Sequence, residues 1–168
     1  MKNKTITAGI DEVGRGCLAG PVVSAAVVLK EGINLDLLKD SKKISFKRRL
    51  EISDHIKSHS HYAIGIASVE EILDLNILQA SLLSMKRALE QLTIKPDLTL
   101  IDGNFAPSGL KNCKTIINGD EKIKVISAAS IIAKVYRDKL MIKLAEEFSN
   151  YSWESNFGYG TRAHLEGL

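Results

Sequence analysis

Hydrophobic positions along the chain follow two periods, and the alternation between them outlines the fold. Ile6, Ala8 and Ile10 alternate with smaller or polar neighbours, which predicts a strand over residues 5–11. Residues 22–29 (VVSAAVVL) are continuously apolar, as expected of a strand buried on both faces, and can pair with the first as a hairpin. A helix is predicted over 46–57, with Ser45 as N-cap and Leu50, Ile52 and Ile56 inward. Residues 62–67 alternate large and small, a third strand. Ser68-Val69-Glu70-Glu71 reads as a capping box that opens a helical region to about residue 92. Its apolar stripe is Leu78, Leu82, Met85, Leu89 and Leu92, with a break predicted near Leu75-Asn76. Short strands follow at 98–101 and 114–117, then a long helix over 127–148 with Ile132, Tyr136, Leu140, Leu144 and Phe148 on one face. The tail, 150–168, reads as irregular and aromatic-rich. Strands first, then strands alternating with helices, indicate an α/β domain with helices on both faces of a mixed sheet.

Composition narrows this picture. With 168 residues, 45% of them hydrophobic, the chain is expected to form one domain, residues 1–168, with a proper core. Only 5% are aromatic, so that core must be mostly Ile, Leu, Val and Ala. A net charge of +3 permits a polyanionic partner without demanding one. No apolar run is long enough for a membrane span, and no signal-peptide pattern follows Met1. Cys17 and Cys113 lie far apart and match no metal or disulfide pattern. The expectation is a reduced, cytoplasmic monomer without membrane contact.

Three predicted strands end in acid: Asp11 with Glu12, Asp102, and Asp120. Singly, each reads better as a turn former or helix cap than as a ligand. Gathered on neighbouring strand ends, they would repel one another unless cations neutralised them. Oxygen donors without His or Cys suit Mg²⁺ or Mn²⁺, and two such ions would form a clamp for in-line displacement at phosphorus. Adjacent strand residues face opposite ways, so Asp11 and Glu12 can share a site only if the strand ends or bulges at Glu12. Gly14-Arg15-Gly16 follows at once, with both glycines expected to be free for φ > 0. It reads as a tight loop with a surface Arg, or as backbone that approaches a phosphate or ribose closely. Ser41, Lys42 and Lys43, and the run Lys47-Arg48-Arg49, could hold phosphate or simply form a solvated face. Tyr159, between two glycines, could stack on a base or sugar, or fill a gap over the core. His164 lies near it in the tail; His55, His59 and His61 read as solvated.

The motifs together resemble bacterial ribonuclease HII. They are Gly9-Ile-Asp-Glu-Val-Gly-Arg-Gly16, Ala19-Gly-Pro-Val22, Asp40-Ser-Lys-Lys43, Leu75-Asn-Ile-Leu78, Leu100-Ile-Asp-Gly-Asn104, Gly119-Asp120, the Ser127–Val135 stretch with Arg137-Asp138, and Gly158-Tyr159 with His164. They stand in the family's order across nearly the whole chain. The resemblance implies a ribonuclease H-like fold with a five-stranded mixed sheet. It implies an endonuclease that hydrolyses the RNA strand of RNA–DNA hybrids and cuts 5′ to single ribonucleotides in duplex DNA, leaving 3′-hydroxyl and 5′-phosphate ends. By motif position, Asp11, Glu12, Asp102 and Asp120 match the metal-binding acids. Gly14, Arg15 and Gly16 match the loop that reads the ribose 2′-hydroxyl. Tyr159 matches the tyrosine that packs on the sugar beside the RNA–DNA junction, and Lys42 and Lys43 fall in a segment near substrate phosphates. Cys17 and Gly160 stand where members usually, or often, carry proline, so a looser loop at Cys17 is expected. Members usually continue through a helical tail with a basic segment, where relatives that bind a sliding clamp carry the clamp-binding motif. The chain stops at Leu168, and lack of that tail is expected to weaken DNA binding before it touches the metal site.

Overall fold

A computed structural model of the chain describes residues 5–38 and 44–168. Five strands form one mixed sheet: β1 (Thr7–Val13), β2 (Val22–Leu29), β3 (Ser60–Ala67), β4 (Leu98–Asp102) and β5 (Cys113–Ile116), in the order β3-β2-β1-β4-β5. β1, β2 and β3 pair antiparallel, whereas β1, β4 and β5 run parallel. The helices are α1 (Phe46–Ser58), α2 (Val69–Leu75), α3 (Ile77–Glu90), α4 (Gly119–Lys122), α5 (Lys124–Glu147), α6 (Trp153–Asn156) and α7 (Arg162–Glu166). Among the described residues, no helix is long and apolar enough to cross a membrane.

The local signals act where they were expected. Ser45 caps α1 by accepting the Arg48 amide. Ser68 and Glu71 exchange both bonds of the capping box. The predicted break falls at Asn76, whose φ of 72° ends α2 while its side chain accepts the Leu78 and Gln79 amides to start α3. Arg87 of α3 then binds both Glu71 carboxylate oxygens, at 2.6 and 2.7 Å, and the Ile66 carbonyl at 2.7 Å. One residue thereby fastens α2, α3 and β3 together.

Two apolar layers sandwich the sheet. On one face Ala25 and Val27 of β2 pack with Ile52 and Ile56 of α1 and with Ala128, Ile131 and Ile132 of α5. On the other, Ile10, Ala26 and Ile101 pack with Met85 and Ala88 of α3. Both helices lie very close to the strands. A Cβ at Gly65 would collide with the Ser84 carbonyl and the Ala88 amide. A Cβ at Gly9 would collide with the backbone at Val125. Accordingly the most buried face of α3 is Ala80, Ser81, Ser84, Met85 and Ala88, while Leu82, Leu89 and Leu92 flank it half-buried.

Three expectations are corrected. The buried face of α5 is not the stripe through Tyr136 and Phe148, which are both exposed. From Val125 to Ala133 nearly every residue but Ser130 is buried, because the sheet and α1 enclose that half from several sides. Beyond it the buried set is Val135, Arg137, Asp138, Met141 and Ala145. Arg137 and Asp138 are buried charged residues that a hydrophobic stripe cannot assign. Helical structure also begins earlier, with α4 and then α5 from Lys124. The tail is not irregular: α6 and α7 form within it, α7 capped by the Thr161 hydroxyl.

Candidate active site

The sheet topology places the acids. β1, β4 and β5 are parallel neighbours, so their C-terminal ends share one edge. Ile10 lies opposite Ile101, and both pack toward α3. One residue further, Asp11 and Asp102 therefore sit side by side, facing α5. Asp120 lies four residues past the end of β5, buried in the first turn of α4. The amides of Gly119 and Asp120 donate to Asp102 Oδ1 at 2.6 and 3.4 Å, which ties the start of α4 to the end of β4.

Glu12 joins by a different route from the one predicted. The β1–β2 register runs without interruption from Gly9↔Val27 to Val13↔Val23, so the strand neither ends nor bulges at Glu12. It instead outruns β4, which stops at Asp102 and leaves that flank of Glu12 open. The Glu12 carboxylate is close enough to Asp11 to make Asp11 harder to ionise, and the Asp102 carboxylate acts on both. Burial, then the carboxylates of Glu12 and Asp102, push Asp11 well above the ordinary carboxylate range; hydrogen bonds from Ser130 and the Glu12 amide oppose this. Burial also raises Glu12, against the pull of Arg15, whose guanidinium lies 3.2 Å from Oε1. Glu12 Oε2 is buried and accepts no hydrogen bond. Among the described residues, no three His, Cys, Asp or Glu side chains are gathered tightly enough to hold an ion as they stand. The donor chemistry nonetheless fits a hard cation: oxygen ligands only, mutually repelling carboxylates, and one buried oxygen without a partner.

The loop after β1 is built for closeness. Gly14 has φ +112°, and a Cβ there would strike the Pro21 carbonyl and the Arg137 side chain. Gly16 does not use that freedom: its φ is not in the positive range, and a Cβ there would meet nothing within 4 Å. Its bare backbone faces open space. At Cys17 the backbone amide donates to the Gly14 carbonyl at 3.3 Å, a bond that proline cannot make. The Cys17 thiol lies against the Tyr159 hydroxyl, and burial raises the pKa of both groups.

Sequence reasoning gave no role to the residue that joins this loop to Tyr159. Arg137, fully buried, donates to the carbonyls of Pro21 (2.9 Å), Ala19 (2.8 Å) and Phe157 (2.6 Å). The Leu18 amide adds a bond to Gly158 O at 2.8 Å. Lys134 was missed too. It pairs with buried Asp138 at 2.7 Å and lies over the rings of Phe157 and Tyr159, at 4.8 and 5.4 Å. Ser130, Lys134, Arg49, Glu12 and Tyr159 line one cleft of about 230 Å³. The i, i+4, i+7 spacing of Ser130, Lys134 and Arg137 was the available signal. Lys42 and Lys43, with Ser41, lie outside the described residues.

The ribonuclease HII family model matches residues 8–168. The chain belongs to the ribonuclease HII family. It is therefore a ribonuclease H endonuclease, a hydrolase. The ribonuclease HII of Pelagibacter ubique is 57% identical over 165 residues, covering 97% of this chain and 88% of that protein. That of Anaplasma marginale is 50% identical, covering 98% and 69%. Among solved structures, ribonuclease H2 from Pyrococcus horikoshii superposes with a TM-score of 0.79 at 29% identity, over 95% of this chain and 82% of that one. The ribonuclease HII of Archaeoglobus fulgidus, solved in complex with PCNA, gives 0.78 at 28%, over 95% and 83%. A Mn²⁺ complex of a ribonuclease HIII, 15% identical with a TM-score of 0.71, shares the fold across 98% of this chain and 69% of that one.

Proposed function

We propose that this enzyme hydrolyses the RNA strand of RNA–DNA hybrids and cuts 5′ to single ribonucleotides in duplex DNA, with divalent cations at Asp11, Glu12, Asp102 and Asp120. The observation that carries this reading is the set of coupled acids on adjacent strand ends, with an unpartnered Glu12 oxygen among them. Mg²⁺ or Mn²⁺, bound as a pair with substrate, would activate the attacking water and stabilise the departing 3′-oxygen. Asp102 is fixed for its part by the α4 amides. The open backbone at Gly16, with Gly14 and Arg15, reads the 2′-hydroxyl, the group that distinguishes RNA from DNA. Tyr159 offers its half-exposed ring to the neighbouring sugar. Lys134 and Arg49, on the cleft wall, supply positive charge for the substrate backbone. Lys42 and Lys43 are proposed to add to it.

A duplex carrying one embedded ribonucleotide tests this, incubated with Mg²⁺, Mn²⁺ or EDTA. One metal-dependent cut on the 5′ side, with 3′-hydroxyl and 5′-phosphate ends, is expected. Cleavage that survives EDTA, or ends bearing 2′,3′-cyclic phosphate, would rule it out. Asp11→Asn should abolish cleavage while duplex binding persists; substantial metal-dependent activity in that variant would count against Asp11 as a ligand.

A further inference from the structure

Tyr159 sits in a turn between two glycines. Gly158 has φ +87°, Gly160 follows, and the ring is half-exposed. A substrate contact on such a turn works only if the backbone beneath it is held. Arg137 holds the carbonyl of Phe157, and Asn156 Oδ1 accepts the Gly158 amide at 2.9 Å. The side chain on the carbonyl of Tyr159 itself is His164, whose Nδ1 lies 2.9 Å away.

His164 is only 1% exposed, although it stands on a five-residue surface helix. Its Nε2 lies 3.2 Å from the Trp153 indole nitrogen. An indole N–H can only donate. Nε2 is therefore the acceptor, and Nδ1 carries the hydrogen that the Tyr159 carbonyl accepts. The rings of Trp153 and Tyr151 meet the imidazole edge-on, both with centroids 6.0 Å away. The Thr161 hydroxyl accepts the His164 amide at 3.3 Å, and the Thr161 amide also donates to the Tyr159 carbonyl, at 2.8 Å. The imidazole is thus oriented on every side, with one hydrogen aimed at the residue beneath the exposed ring.

We propose that His164 is a positioning residue for substrate affinity: the relay Trp153–His164–Tyr159 carbonyl fixes the angle at which the Tyr159 ring meets the nucleic acid. This rests on the reading of Tyr159 as a substrate contact. His164 touches no reacting atom, so its loss acts on binding and leaves the chemical step intact.

Two substitutions separate the ring nitrogens. Asn presents an amide N–H near the position of Nδ1, and Gln reaches instead toward that of Nε2. KM and kcat would be measured on the single-ribonucleotide duplex in Mg²⁺, with circular dichroism and thermal unfolding alongside. His164→Gln is expected to raise KM about tenfold with kcat within about twofold, the signature of lost uniform binding. His164→Asn should stay within about threefold of the parent KM, since it keeps the donor to Tyr159. In a Tyr159→Ala background, His164→Gln should add nothing, because its route runs through that residue. Equal KM for folded Asn and Gln variants, or a full Gln effect without Tyr159, overturns the proposal. If the Gln variant does not fold, the Asn variant decides: KM near the parent value supports the relay, and a tenfold rise overturns it. A Tyr159→Ala enzyme with unchanged KM overturns the reading of Tyr159 itself, and the relay with it.

Discussion

Replacing Asp11 by asparagine removes an ionisable carboxyl from a buried site that also holds Glu12 and Asp102. The pKa of Asp11 is raised in the fold, so the carboxylate is harder to ionise there than in the unfolded chain. That stability is fully present below the unfolded value near 4 and is lost as pH rises through the raised folded value. In EDTA, the parent protein should therefore lose thermal stability as pH climbs from about 4 toward neutrality. Asp11→Asn should flatten that profile and melt about 3 °C higher at pH 7, roughly 1 kcal/mol for a chain of this size. Calorimetry of both proteins in EDTA at several pH values checks this; a lower neutral-pH midpoint for the variant would refute it. The residues of the acid set were legible from their types and places, each at or just past a strand end. Their coupling was not, because it depends on which strands are neighbours.

At the level of elements, close contact between α3 and β3 depends on Gly65, where a Cβ would meet backbone atoms that cannot turn aside. Gly65→Ala should destabilise the protein by about 3 kcal/mol, at the upper end of overpacking costs. Denaturant unfolding would show it as a lower midpoint, and a change under about 1 kcal/mol would mean that α3 shifts freely on the sheet. Ser68→Ala should cost about 1 kcal/mol through the lost cap of α2. Caps, breaks and strand periods were readable because they are local: Ser45, Ser68 and Asn76 act within three residues of themselves. The inward face of α5 was not, because that helix is enclosed on several sides and buries Arg137 and Asp138 along with its aliphatic residues.

For the whole molecule, the proposed ion site at the gathered acids would make ion binding a folding term. Mg²⁺ or Mn²⁺ should raise the melting temperature in proportion to the logarithm of ion concentration once above Kd, about 2.7 kcal/mol at a hundredfold excess. Asp11→Asn should lose most of that rise, and an equal rise in both proteins would point to binding elsewhere. The amino-acid sequence by itself determined the strands, the caps, the mixed α/β layering and the residue types of the site, all of which rest on periodicity and short-range chemistry. It also carried the motifs of the family. Only the tertiary structure decided the rest. The order β3-β2-β1-β4-β5 sets Asp11 beside Asp102, and β1 outrunning β4 lets Glu12 join them without a bulge. Arg137 reaches across 116 and 118 positions to Pro21 and Ala19 and binds the loop after β1 to the turn of Tyr159. Those contacts are long-range, and hydrogen-bond partners so far apart in the chain leave no local pattern to read.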